Sequence, residues 1–157
     1  MLNVYTVAFF GHRHVGNPFA IEQKLQKEIR ELLSEKEYVE FLMGRNGEFD
    51  IMAAAAVRTA KREYRDDNSS LVLVLPYMTA EYKNNEKSFL NYYDEVEICE
   101  EASSAHFKSA ITIRNLKLSE RADCVLCYIE RKSGGAYAAV KHANELGKRI
   151  INTTEWE

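Results

Sequence analysis

The chain has 157 residues and a net charge of −3, with 46% hydrophobic and 29% charged residues. This length and composition predict one globular domain over residues 1–157 with a core of its own. The acidic balance gives no reason to expect a nucleic-acid partner held by bulk electrostatics, and a local basic patch is left open. No apolar run reaches the roughly 20 residues that span a membrane. Because no signal-peptide pattern is recognisable, we expect a cytoplasmic protein without a membrane partner.

The cysteines Cys99, Cys124 and Cys127 are odd in number, and two of them fall in one predicted strand. Cys124 and Cys127 have the spacing of metal and redox sites, but the sequence has no second pair of this kind. Residues three apart in a strand point to opposite faces, so we expect buried structural thiols. The histidines have no neighbour at ligand spacing, and neither a metal nor a cofactor is predicted.

The predicted elements alternate between strands and helices along the whole chain. Asn17-Pro18 combines a capping residue with a first-turn proline, as at a helix start. The continuous apolar run at 71–75 predicts a strand buried on both faces, and Gly147 ends the last helix. In chain order, we predict strands at 4–10, 38–43, 71–75, 95–99, 124–129 and 149–152, and helices beginning at 17–18 and covering 51–64, 84–93, 103–121 and 136–146.

This alternation predicts an α/β fold, Rossmann-like and doubly wound, with a mostly parallel sheet and helices on both faces. Ligands of such sheets bind beyond the carboxyl ends of the strands. The loops predicted at that edge are 11–13, 44–50, 76–77 and 133–137, and three of them contain glycine. The turn at 133–135 leads into a helix start, where free N–H groups and the helix dipole favour a phosphate or carboxylate.

Four side chains in these loops are candidates for chemistry. Arg13 follows a central strand, and its planar fork matches phosphate or carboxylate oxygens; the alternative is a surface arginine. His12 is either a general acid/base or hydrogen-bond donor, or a structural histidine bonded to the backbone. Glu48 and Asp50 at a helix start are either caps, or one of them binds a ribose hydroxyl pair or acts as a general base.

In their order and spacing these residues resemble the SLOG superfamily. That superfamily contains the lonely-guy phosphoribohydrolases, the lysine-decarboxylase-like proteins and the DNA-processing protein A group. The chain is similar in particular to small stand-alone bacterial members related to the YpsA group, over essentially its whole length. The motifs that carry the resemblance are Gly11-His12-Arg13, Gly44 to Gly47 with Asp50 before an alanine-rich helix, Pro76-Tyr77, Arg114-Asn115 before Ala122-Asp123, Ser133-Gly134-Gly135-Ala136, and Lys148 to Asn152.

The resemblance implies that glycine loops hold the phosphate of a nucleotide or nucleotide-derived small molecule, with a sensing or regulatory role. It also implies a homo-oligomer, for which helix 51–64 or segment 77–93 offers a surface; the alternative for both segments is packing within the chain. From the loops and the resemblance together, the predicted ligand-binding residues are Gly11, His12, Arg13, Gly44, Asn46, Gly47, Arg114, Asn115, Ser133, Gly134, Gly135 and Ala136.

The catalytic motif of the phosphoribohydrolases is only partly present in this chain. The phosphoribohydrolases have a Pro-Gly-Gly-x-Gly-Thr-x-x-Glu pattern whose glutamate takes part in cleaving the N-glycosidic bond, and Lys141 stands at that position here. A lysine cannot stabilise an oxocarbenium-like centre, which favours binding without turnover. The alternative is an N-glycosidic hydrolase or transferase acting on a nucleoside monophosphate, with Glu48 or Asp50 as its carboxylate. A nucleic-acid partner is not expected, since no basic run with interleaved aromatics occurs.

Overall fold

The computed structural model describes residues 1–154, so the last three residues of the predicted domain lie outside it. Over this range the strands are β1 (Val4–Gly11), β2 (Tyr38–Met43), β3 (Ser69–Leu75), β4 (Glu95–Ile98), β5 (Cys124–Tyr128) and β6 (Arg149–Asn152). They form one sheet in the order β4–β3–β2–β1–β5–β6, and every neighbouring pair is parallel. The predicted α/β fold is confirmed.

Helices cover both faces of this sheet. Among the described residues the helices are α1 (Pro18–Glu35), α2 (Glu48–Glu63), α3 (Ala80–Asn84), α4 (Glu86–Tyr92), α5 (Glu100–Ser103), α6 (Phe107–Arg121) and α7 (Gly135–Glu145). Helices α1 to α4 pack into the core on one face, and α5 to α7 pack into the core on the other. None of the helices within residues 1–154 combines the length and the apolar character of a membrane span.

The alternation of side chains along the strands divides the interior into these two cores. In β3, Leu71, Leu73 and Leu75 belong to one core and Val72 and Val74 to the other, as expected for a strand buried on both faces. Cys124 and Cys127 likewise lie in opposite cores, and both are buried thiols. The prediction that these two thiols are buried and point to opposite faces is confirmed.

The bounds of two predicted helices differ from the structure by more than a shift of the same helix by one to three residues. Of the range 84–93 predicted as one helix, α4 covers 86–92 and Asn84 is the last residue of α3, because Asn85 leaves helical geometry between the two (φ −141°, ψ 32°). The helix predicted at 103–121 begins at Phe107, where the His106 side chain accepts the N–H of Lys108 and caps the helix. The aromatic rings of the first region, Tyr82 and Phe89, are buried in the chain's own core.

Candidate functional site

A cavity of about 290 Å³ opens at the carboxyl edge of the sheet. It lies where the neighbouring strands β1 and β5 are followed by helices on opposite faces, α1 and α7, which separates the two loops and leaves a crevice. Its described lining residues are Phe9, Phe10, Gly11, His12, Arg13, Gly44, Asn46, Asp50, Ile111, Arg114, Asn115, Arg131, Gly134, Gly135 and Ala136.

Most of the predicted ligand-binding residues therefore meet at one place. The predicted residues that do not line the cavity are Gly47 and Ser133, together with Glu48 of the carboxylate pair. Four lining residues were missed: Phe9, Phe10, Ile111 and Arg131. Arg131 precedes the Ser/Gly turn by two residues, so its charge in a ligand-facing loop was a usable signal. The three apolar residues offered no such signal.

Glu48 supports the loop after β1 from outside the cavity. Its carboxylate accepts the N–H of Val15 at 2.8 Å and lies 3.7 Å from Nδ1 of His14. Its own N–H donates to the carbonyl of Arg13 at 2.8 Å. Gly47 lets the two segments touch, since a Cβ there would come 2.8 Å from Cα of Arg13. These contacts hold the backbone of Arg13 beside the start of α2.

Arg114 forms a buried wall of the cavity. Only 2% of the residue is exposed. Its guanidinium donates to the carbonyl of Val74 (2.8 Å), to Oδ1 of Asn46 (2.6 Å) and to Oδ1 of Asn115 (3.0 Å). These three bonds leave further N–H donors of the five-donor fork for a ligand. Gly44 is required beside it, because a Cβ there would come 2.7 Å from the guanidinium.

The carboxylate of Asp50 shares the cavity with this guanidinium. Asp50 is partly buried and accepts the N–H of Asn46 at 2.9 Å. Burial raises the pKa of Asp50, and the Asn46 N–H and the charge of Arg114 oppose the rise. Burial also lowers the pKa of Arg114, which the negative charge of Asp50 opposes. A carboxylate with a raised pKa in a cavity is suited to proton transfer or to hydroxyl binding.

The start of α7 presents backbone N–H groups to the cavity. Gly134 precedes the helix at φ 92°, ψ 173°, a conformation that only glycine adopts readily. Within the described chain no side chain caps this helix and its first turn holds no acidic residue. The first N–H groups of a helix lack partners inside it, so this end is available to an anion.

Two exposed arginines face the same space. Arg13 comes from the loop after β1 and Arg131 from the loop after β5. Neither guanidinium makes a hydrogen bond or an ion pair with another residue of the range 1–154. Together with Arg114 and the start of α7, they make the cavity a candidate anion-binding site.

His12 joins the loops after β1 and β5. The residue is 3% exposed, and its Nε2 accepts the N–H groups of Glu130 (3.0 Å) and Arg131 (3.3 Å). An acceptor Nε2 requires the neutral ring. Burial lowers the pKa of His12, the charge of Arg131 lowers it further, and Glu130 opposes this. Of the two roles open for His12, these contacts match the structural one.

Tyr128 makes a second link between the same loops, and the sequence offered no signal for it. Its hydroxyl accepts the N–H of Gly16 at 2.9 Å and donates to the carboxylate of Glu130 at 2.5 Å. Its ring is stacked on Phe49, with 6.2 Å between ring centroids. These contacts hold the loops after β1 and β5 together on this side of the cavity.

Acid is expected to destabilise the chain through His12. The ring has a lowered pKa in the folded state, so the unfolded chain binds a proton first as the pH falls below about 6.5. The contribution of His12 is complete above that pH and is lost below it, by at most about 1.4 kcal/mol per pH unit. Urea unfolding between pH 7.5 and 5 measures it. His12→Asn should flatten the acid dependence and exposed His14→Asn should not; equal slopes in the two variants would contradict the assignment.

One group of carboxylates lies apart from the cavity. Carboxylate oxygens of Glu40, Glu95 and Glu97 lie within 4.8 Å of one another. The guanidinium of Arg121 is 2.7 Å from a Glu97 oxygen and 3.1 Å from a Glu40 oxygen, and so supplies positive charge there. We assign no metal to this group.

The fold and the cavity define the chain as a parallel α/β domain with a candidate anion site at its switch point. No family model and no curated protein sequence matches it. Solved structures with the same fold include the structural-genomics target TM1055, with a TM-score of 0.60 and 16% identity over 94% of this chain and 72% of that one.

Two further structures of this fold are DNA processing protein A molecules. The protein from Helicobacter pylori, described with a single-stranded DNA binding mode, has a TM-score of 0.61 and 16% identity over 93% of this chain. The protein from Streptococcus pneumoniae has a TM-score of 0.63 and 15% identity over 94% of this chain. The chain spans 63% and 49% of these two proteins. The fold expected from the resemblance to the SLOG superfamily is confirmed.

Proposed function

We propose that the chain binds the phosphate of a nucleotide or nucleotide-derived small molecule in the cavity at the carboxyl edge, in a sensing or regulatory role. The observation that carries the proposal is the convergence of three arginines on an uncapped helix start. Arg114 is buried and held by three hydrogen bonds, whereas Arg13 and Arg131 have no partner among residues 1–154. Charge-assisted bonds from such groups are those that fix phosphates in proteins.

A thermal-shift screen tests the proposal. The panel contains mononucleotides, dinucleotides, cyclic nucleotides and ADP-ribose. A ligand that binds only the folded chain adds about 2.7 kcal/mol of stability at a hundredfold excess over its Kd. Arg13→Gln should remove the shift without lowering the melting temperature of the free chain, because Arg13 is exposed and unpaired.

The matched control is Arg62→Gln, an exposed arginine on α2 outside the cavity. It should retain the whole ligand-induced shift. A well-folded chain that no member of the panel stabilises would contradict nucleotide binding. If Arg13→Gln leaves the ligand-induced thermal shift intact, the ligand binds somewhere other than this cavity.

The alternative function is N-glycosidic hydrolysis or transfer on a nucleoside monophosphate. It is favoured by one observation, the partly buried carboxylate of Asp50 with its raised pKa inside the same cavity. Incubation with nucleoside monophosphates should then release free base. Asp50→Asn should abolish release, and Glu48→Gln, which alters a group outside the cavity, should only weaken it. Release that survives Asp50→Asn would contradict the role of this carboxylate.

Single-stranded DNA is a further ligand to include, because a solved neighbour of this fold is described as binding it. This weakens the expectation that nucleic acid is no partner. The exposed cations Arg13 and Arg131 are compatible with a phosphate backbone, and the net charge of −3 opposes one. Salt-sensitive retention of the chain on immobilised single-stranded DNA would support this ligand.

A further inference from the structure

A second cavity of about 480 Å³ adjoins the first on the outer side of α7. Arg131 lines both cavities, so the two spaces meet at this side chain. The second one lies between α7 and the ends of β5 and β6. Its lining includes Lys132, Tyr137, Lys141, Asn144 and Ile150.

Different residues of helix α7 line the two cavities. Gly135 and Ala136 at its start line the first cavity. Tyr137, Lys141 and Asn144 line the second, and spacings of four and three residues place them on one face of a helix. A ligand that binds at the helix start can therefore extend along this face.

The second cavity carries unbalanced positive charge. Lys132 and Lys141 are exposed, and like the guanidinium of Arg131 their ammonium groups have no ion pair within the described residues. The carboxylate in the lining belongs to Glu130, and it accepts the hydroxyl of Tyr128 at 2.5 Å. Unpaired cations around a concave space are a site for a second anionic group.

The remaining lining suits a ring system rather than a simple ion. Ile129, Val140 and Ile150 are partly buried and give the cavity an apolar surface. The half-buried ring of Tyr137 borders it, and the exposed amide of Asn144 offers both a donor and an acceptor. Such a mixture of apolar and amide groups is typical of small-molecule subsites.

We propose that the second cavity is a subsite for the second phosphate and second nucleoside of a dinucleotide-type ligand, whose first phosphate occupies the cavity at the start of α7. This inference rests on the proposed function, since it extends the same bound ligand. Arg131 lies between the two phosphates and contacts both. The chain then selects ligands with two phosphate groups over nucleoside monophosphates.

Calorimetric titration with two sets of ligands tests the subsite. One set is the four nucleoside 5′-monophosphates, and the other is the four 5′-phosphorylated homodinucleotides, which add one phosphodiester and one nucleoside. The base that binds best is used for the variants. The dinucleotide should bind at least about tenfold more tightly than its monophosphate, since the subsite adds charge-assisted contacts. The advantage should shrink as salt is raised.

Three variants separate the subsite from the first cavity. Lys141→Gln should weaken the dinucleotide about three- to tenfold and leave the monophosphate unchanged. Arg13→Gln should weaken both ligands. Lys87→Gln, an exposed lysine on α4 outside both cavities, is the matched control and should change neither.

Each outcome has a separate meaning. If neither ligand set binds, the subsite is refuted; if no member of the thermal-shift panel stabilises the chain either, the proposed function fails with it. If the monophosphate and dinucleotide bind equally and Lys141→Gln changes neither, the subsite is refuted while phosphate binding stands. An affinity that keeps rising from the dinucleotide to a twelve-residue single-stranded oligonucleotide would also overturn it, in favour of a nucleic-acid ligand.

Discussion

Replacing Arg114 by alanine is expected to lower the free energy of unfolding by about 3 kcal/mol and to abolish ligand binding. The change leaves the buried carbonyl of Val74 and the Oδ1 atoms of Asn46 and Asn115 without their donor. It also leaves the carboxylate of Asp50 without the positive charge that opposes the rise of its pKa. Urea unfolding gives the stability, and titration with the ligand found in the screen gives the binding.

Arg121→Ala is the matched control for this variant because it lies on the same helix. Its guanidinium pairs with Glu97 and Glu40 at the surface, where such pairs contribute about 0–1 kcal/mol. Adding Asp50→Asn to Arg114→Ala should recover part of the lost stability, since it removes the uncompensated charge. If Arg114→Ala and Arg121→Ala lower the free energy of unfolding equally, the buried hydrogen bonds of the Arg114 guanidinium contribute no more than a surface ion pair.

Replacing Gly11 by alanine is expected to cost about 3 kcal/mol of stability. The added Cβ would lie 2.3 Å from Cγ and 2.4 Å from Cβ of Phe49. Phe49 is fully buried, and its ring is stacked on Tyr128, so it cannot turn away. The end of β1 or the first turn of α2 must shift, and both border the cavity. Thermal and urea unfolding measure the loss.

Gly135→Ala is the control for this substitution. The nearest heavy atom to its added Cβ, Nδ2 of Asn115, is 3.9 Å away, which is ordinary van der Waals contact. Its stability should stay within about 0.5 kcal/mol of the parent chain, as is usual where no feature is disturbed. If Gly11→Ala were as stable as Gly135→Ala, the contact between β1 and Phe49 would be looser than the structure has it.

The sequence predicted the architecture because its signals are local. β-branched and apolar runs of strand length alternate with amphipathic or alanine-rich stretches, and each strand can be predicted without knowledge of the others. The run 71–75 and the face-to-face separation of Cys124 and Cys127 were predicted in this way. Bounds were poorer where the deciding contact is specific, as at His106, whose side chain caps α6. Self-association stays a prediction.

The sequence also placed the candidate site at the right edge, since parallel topology brings every loop that follows a strand to the same side. It did not determine which side chains face the cavity. Glu48 and Asp50 are two residues apart, yet Glu48 accepts a hydrogen bond from the loop after β1 whereas Asp50 lines the cavity. Helical geometry points them in directions about 200° apart, and only the packing of α2 decides which direction is inward.

Tertiary structure alone decided the roles of Arg114, Arg131 and His12. Arg114 was predicted as a ligand-binding residue from the resemblance, but nothing in its own helix indicates that the carbonyl end of β3 and the loop after β2 bury it. His12 holds Arg131 through amides 118 and 119 residues away along the chain. Composition and periodicity describe one segment at a time, whereas these roles depend on partners from other segments. The sequence therefore determined the fold and the edge, and long-range packing determined the chemistry of the cavity.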